Sequence, residues 1–138
     1  MRKVRVTSPS FPDAVTGVPL PHGAGGVWRV LCGDGSHWRA GVYSPSFTTG
    51  SQIVELERHS CPELFLLISG HVTVVVAEGG ALREIALEHE KPVLVTAPHS
   101  GFCPDGAHTG AAFVVERDEF ETEYRTIKEW LSNGAPDG

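Results

Sequence analysis

The chain has no run of basic residues. It carries 11 Lys and Arg against 17 Asp and Glu, for a formal charge of −6. It therefore offers no cationic patch to a phosphate backbone or an anionic lipid surface, and neither nucleic acid nor membrane is expected as a partner. Long apolar runs are also missing. Leu64–Ile68 is typical of what is present, far short of the ~20 residues that span a bilayer as a helix. The basic start, Met1-Arg2-Lys3-Val4-Arg5-Val6, is followed by no apolar segment and does not read as an export signal. The cysteines, Cys32, Cys61 and Cys103, form no CxxC pair. An odd count without an export signal reads as reduced thiols in a soluble, cytoplasmic protein. No Gly-x-Ser-x-Gly elbow supports a nucleophilic triad. The glycines at 23, 25 and 26 lack the spacing of a dinucleotide-binding loop.

What is present points to a single, mostly β domain. The 138 residues suffice for one core, and 41% of them are apolar. Sixteen Gly and ten Pro favour many turns. Residues 1–26 read as an irregular arm and 27–138 as the folded domain. Short apolar or alternating segments recur about every ten residues, the pattern of a sandwich or barrel. They begin near Val27, His37, Gln52, Glu63, Val72, Leu82, Val93 and Ala111. Glu63–Ser69 and Val72–Ala77 read as a hairpin around Gly70-His71. In the second segment Trp38, Ala40 and Val42 share a face. Toward the C-terminus the period changes. Phe120, Tyr124, Ile127 and Leu131 fall on one helical stripe, with Asp118 or Thr122 as the starting cap and Asn133-Gly134 as the stop. That helix is expected to pack on the β domain.

Seven His are more informative than the net charge, because imidazole is the commonest metal ligand. Glu57-x-His59-x3-Glu63-x6-Gly70 concentrates potential ligands within seven residues. Glu57 and His59 are two apart, so on a strand they point to one face. Ser60-Cys61-Pro62 breaks the run, and Glu63 opens the next apolar segment. Two strands meeting at this corner can bring the three side chains to one divalent ion.

The stretch from Gly50 to Gly70 resembles the first motif of the cupins: a glycine, His-x-His, three or four residues, Glu, six residues and Gly. His59, Glu63 and Gly70 keep that spacing. Gly50 lies one residue further upstream than the pattern asks, and Glu57 occupies the first histidine position. The second cupin motif supplies one more histidine. Val93-Leu94-Val95-Thr96-Ala97-Pro98-His99 resembles its apolar strand running to a Pro-His ending. Pro104-Asp105-Gly106-Ala107-His108 offers a competitor. The parity of His99 with Val93, Val95 and Ala97 favours His99.

The resemblance implies an all-β fold, a double-stranded β-helix (jelly-roll) barrel, here with a short C-terminal helix. It implies a divalent metal (Fe, Mn, Zn or Ni) held by Glu57, His59, Glu63 and His99, and a homodimer. It further implies a small metalloenzyme of dioxygenase, isomerase or lyase type acting on a small oxygenated molecule, with Glu57 or Glu63 as the catalytic proton acceptor. The alternatives are a non-catalytic ligand-binding or accessory cupin, and a metal-free sugar epimerase or isomerase using His59 as base. Cys61 and Cys103 would join only a softer metal and read first as small buried thiols. His37, His71 and His89 read as loop or surface residues, and His22 belongs to the arm.

Overall fold

A computed structural model describes Arg2, Val4, residues 16–20 and residues 26–132. Most of the expected arm, His22 and the Asn133-Gly134 stop lie outside the described residues. The strands are β1 (Trp28–Asp34), β2 (Trp38–Tyr43), β3 (Glu55–His59), β4 (Glu63–Ser69), β5 (Thr73–Glu78), β6 (Ala81–Ala86), β7 (Val93–Val95), β8 (His99–Phe102), β9 (Ala111–Arg117) and β10 (Thr122–Thr126). One short helix, α1 (Ile127–Ser132), follows them. The strands form two five-stranded antiparallel sheets, ordered β1-β2-β9-β4-β7 and β10-β3-β8-β5-β6. Chain-adjacent strands repeatedly fall in opposite sheets, which is the jelly-roll arrangement. No helix among the described residues is long and apolar enough to cross a membrane.

Period-2 alternation builds the interior. On β4, Glu63, Phe65 and Leu67 are buried while Leu64 and Ile68 face outward. On β9, Ala112, Val114 and Glu116 are buried in the same rhythm. These residues meet Val72, Val74 and Val76 from the other sheet, with Leu87, Val95 and Cys103, in the main core. The interior is thus filled with aliphatic side chains at one end and carries charged side chains at the other.

The helix has its own small core. Leu56, Val75 and Phe102 are buried on the outer face of the β10-β3-β8-β5-β6 sheet, where Trp130 covers them. The Trp130 indole N–H donates to the Leu56 carbonyl at 3.1 Å. Arg58 and Arg125 lay their guanidinium groups over the indole, 5.1 and 4.9 Å from its centre.

Two sequence expectations change here. The segments around Gly70-His71 do not form a hairpin: β4 pairs with β7 and β9, whereas β5 pairs with β6 and β8. Gly70 redirects the chain between sheets with φ +59, and a Cβ there would run into the Thr109 carbonyl. The helical stripe covers only its last part. Tyr124 is on β10 and Phe120 lies in the turn before it, because register with β3 satisfies this backbone better than a helix would. Asp118 and Thr122 accordingly cap nothing: Asp118 accepts the Ser36 backbone N–H, and Thr122 bonds His59. On β2, Trp38, Ala40 and Val42 do alternate with Arg39 and Tyr43, and it is the latter two that line the cavity.

Candidate metal centre

Glu57 and His59 occupy alternate positions on β3, and their neighbours Leu56 and Arg58 point to the helix side. The flanking strands fix both. On one side β10 places Thr122 opposite His59 and Tyr124 opposite Glu57. On the other, β8 places His99 opposite Glu57. Glu63 comes from β4 in the second sheet, in phase with Phe65 and Leu67. All four residues read from the sequence therefore meet inside the barrel.

His99 arrives there for a different reason than parity on one long strand. The chain leaves the first sheet after Val95 and enters the second at His99, so Val93 and His99 lie on different sheets. The competitor His108 is exposed, with positive φ, and its Nδ1 bonds the Ser44 carbonyl at 2.8 Å. His71 is exposed and paired with Asp105. Cys61 and Cys103 are buried outside the donor cluster, and the Cys103 thiol donates to the Gly110 carbonyl.

The donor atoms converge. His59 Nε2 lies 3.4 Å from Glu57 Oε1 and in direct contact with Glu63 Oε1. His99 Nε2 lies 3.4 Å from the same Glu63 oxygen and 4.0 Å from Glu57 Oε1. The second nitrogen of each ring is anchored. His99 Nδ1 donates to the Ala97 carbonyl at 2.9 Å, and His59 Nδ1 bonds Thr122 Oγ1 at 2.8 Å. These anchors aim both Nε2 atoms into the cavity, the arrangement that orients metal-binding imidazoles.

One oxygen tests whether these residues suit a cation. Glu63 Oε1 is buried and close to two imidazole nitrogens, yet accepts no well-aligned hydrogen bond. A buried carboxylate oxygen normally has a partner. A divalent ion bound by Glu57, His59, Glu63 and His99 supplies one, so the residues fit such an ion. Two nitrogen and two carboxylate donors suit hard-to-borderline metals rather than Cu(I).

Electrostatics agree with that donor set. Burial alone would lower His59, but the Glu57 and Glu63 carboxylates outweigh it and raise the imidazole to about 10. Burial opposes ionisation of Glu63, but the close approach and charge of the His59 and His99 imidazoles hold it at about 2. His99 is raised and Glu57 lowered by the same mutual attraction, against burial in each case.

The cluster opens into a cavity of about 530 Å³. Its walls are mainly apolar, with Trp28, Val30, Phe65 and Phe120 among the lining residues. Several polar lining residues do not read from the sequence as site residues: Arg39, Tyr43 and Glu116, together with Thr122 and Tyr124, which read only as helix residues. A signal existed for Glu116, which shares parity with Ala112 and Val114 on an otherwise apolar strand. Glu116 also closes a second donor group with His59 and Glu63. Burial and the nearby Glu63 charge raise its carboxyl to about 7, against the pull of Arg39. Tyr124 stands opposite Glu57 in the β10–β3 ladder, and Arg2 stands 4.0 Å above the Tyr124 ring.

No family model and no curated protein matches the chain. Solved structures do. The Fe(II) form of HppE aligns with a TM-score of 0.52 at 10% identity, covering 83% of this chain and 64% of that one. The DMSP lyase DddQ from Ruegeria pomeroyi DSS-3 aligns with a TM-score of 0.50 at 18% identity, covering 80% and 52% respectively. A cupin-2 domain protein from Shewanella frigidimarina aligns at 0.49 with 11% identity, covering 69% and 83%. The chain thus spans about two thirds of HppE and half of DddQ. Likeness at this level concerns fold alone. This chain has the fold of the cupin superfamily.

Proposed function

We propose that this protein is a metal-dependent enzyme acting on a small oxygenated molecule, with Glu57, His59, Glu63 and His99 holding one divalent ion in the barrel cavity. The observation that carries this reading is Glu63 Oε1, buried between two imidazole Nε2 atoms without a well-aligned hydrogen-bond donor. Of the neighbours named above with TM-scores of 0.50 or more, DddQ is a lyase by name and HppE is described in its Fe(II) form. Their likeness supports the fold, and the donor set of this chain supports the metal.

A divalent ion at this position supplies Lewis acidity toward a substrate oxygen. The protein's own groups do the rest. Thr122 and Ala97 hold the two imidazoles in one orientation. Phe65 and Phe120 pack against His99 and His59, with ring centres 5.9 and 4.7 Å apart, and exclude water from that side. Glu63 has a side chain only 7% exposed and serves as a fixed ligand. Glu57, at 33%, is the more accessible carboxylate and stands opposite Tyr124 in the β3–β10 ladder. It is the better placed of the two to accept a substrate proton, which Tyr124 can then share. The cavity volume lies in the range of small-molecule sites.

Metal analysis of protein purified without a chelating tag tests the proposal. The expected result is one equivalent of a first-row divalent metal in the wild type and a large loss in His99→Ala. Metal-free wild type that also fails to take up Fe(II), Mn(II), Ni(II) or Zn(II) overturns it.

A further inference from the structure

The guanidinium of Arg39 is packed on three sides at the cavity wall. Its side chain is 3% exposed, although it lines the cavity. Nε donates to Glu116 Oε2 at 2.5 Å, and Nη2 contacts the same oxygen. One face lies toward the Phe120 ring and another toward the Trp28 ring, 5.0 and 5.6 Å from their centres. Trp28 is kept close to β2 by Gly41, where a Cβ would collide with the indole. Nη1 is buried and has no hydrogen-bond partner. A buried guanidinium N–H without an acceptor is costly, and here it occurs inside a cavity large enough for a ligand.

We propose that Arg39 Nη1 is the anchoring donor for a carboxylate or ketone oxygen of the substrate, whose remaining part is small and apolar. The planar donor is already immobilised, so little rotamer entropy is lost when an acceptor arrives. Glu116 ties this donor to the metal cluster, since it groups with His59 and Glu63 while bonding Arg39. One substrate can therefore present one oxygen to the cluster and another to Arg39. The aromatic surfaces of Trp28, Phe65 and Phe120 select an apolar remainder. A ligand carrying only donors, such as an amine, leaves Nη1 unsatisfied and is rejected.

The assignment rests on the cavity being the substrate site, and its test is independent of metal. Benzoate, benzamide and benzylamine serve as probes of similar shape, titrated calorimetrically into chelator-treated and Mn(II)-loaded protein. Benzoate and benzamide are expected to bind at least ~10-fold more tightly than benzylamine. Arg39→Lys, which keeps a cation beside Glu116 but loses the planar donor, should shrink that difference. The double variant R39M/E116L removes both charges and should abolish it. Nitrogen-15 spectra of the wild-type arginine side chains provide a check that needs no variant: one Nη resonance should shift with benzoate and benzamide and not with benzylamine. Discrimination that survives in R39M/E116L, or an unshifted Nη signal while benzoate binds, overturns the anchor. Probe binding that is intact without any metal uptake would overturn the metal reading and leave the anchor standing.

Discussion

Arg39 and Glu116 stand directly across from each other in the β2–β9 ladder, and both side chains are 3% exposed. The pair is a buried charge couple beside the His59 and Glu63 side chains. Removing one member strands the other, typically at a cost of about 3–5 kcal/mol, whereas replacing both by apolar groups is often near neutral. Glu116→Leu should therefore lower stability by about 3 kcal/mol or more, and R39M/E116L should recover most of it. Urea denaturation of the three proteins checks this; a double variant no better than the single one contradicts it.

Metal content should follow the interior donors and ignore the exterior ones. Glu63→Gln and His99→Ala should each lose most of the metal, because each removes a donor from a set of four. His108→Ala and Cys61→Ala should retain it, since His108 bonds the Ser44 carbonyl and Cys61 lies outside the donor groups. Plasma emission spectrometry on dialysed protein gives the comparison directly.

Thr122→Val should weaken metal binding without removing a ligand. It deletes the hydroxyl that bonds His59 Nδ1 at 2.8 Å and leaves the ring free to rotate. The expected loss is about 10–100-fold in affinity, measured by competition with a chromophoric chelator, while the far-ultraviolet dichroism stays unchanged.

The pH dependence of the chelator-treated protein has a defined sign. Glu63 is held near about 2, so its contribution is present above its unfolded value of about 4.3 and is lost as pH falls toward 2. His59 is raised to about 10, so its contribution is present below about 6.5 and is lost as pH rises toward 10. Glu116, raised to about 7, adds to the loss between about pH 4.3 and 7. Stability should thus peak on the acid side of neutrality. Added metal binds the deprotonated imidazoles and should flatten the alkaline limb. Melting temperatures from pH 4 to 9, with and without Mn(II), test both halves; an alkaline limb unaffected by metal contradicts the second.

Trp130→Ala should cost about 3–5 kcal/mol, because it removes the cover over Leu56, Val75 and Phe102 and the bond to the Leu56 carbonyl. Thermal unfolding reads the loss, and metal affinity should change little, since Leu56 points away from the cavity.

Much of the site was legible because ligand spacing is local. Glu57, His59 and Glu63 lie within one corner of the chain, where strand parity and a single break determine their directions. His99 was reached through a parity that the fold does not use, since the chain changes sheets between Val95 and His99. Long-range pairing hid the rest. Arg39 and Glu116 are 77 residues apart in sequence, and only the β2–β9 register brings them together. Phe120 and Tyr124 matched a helical period by coincidence, and the ladder with β3 decided their conformation. The β4–β5 hairpin failed because a glycine turn looks the same in sequence whether it returns within a sheet or crosses to its partner.

Glu57, His59 and His99 belong to one sheet and Glu63 to the other. An ion gripped by all four would rivet the two layers of the sandwich at the end where aliphatic packing is thinnest. Separating the layers would then require breaking coordination bonds early. The metal-loaded protein should accordingly unfold far more slowly than the stripped one, even where the two have similar melting temperatures. In that case the ion-binding cluster also sets the lifetime of the barrel.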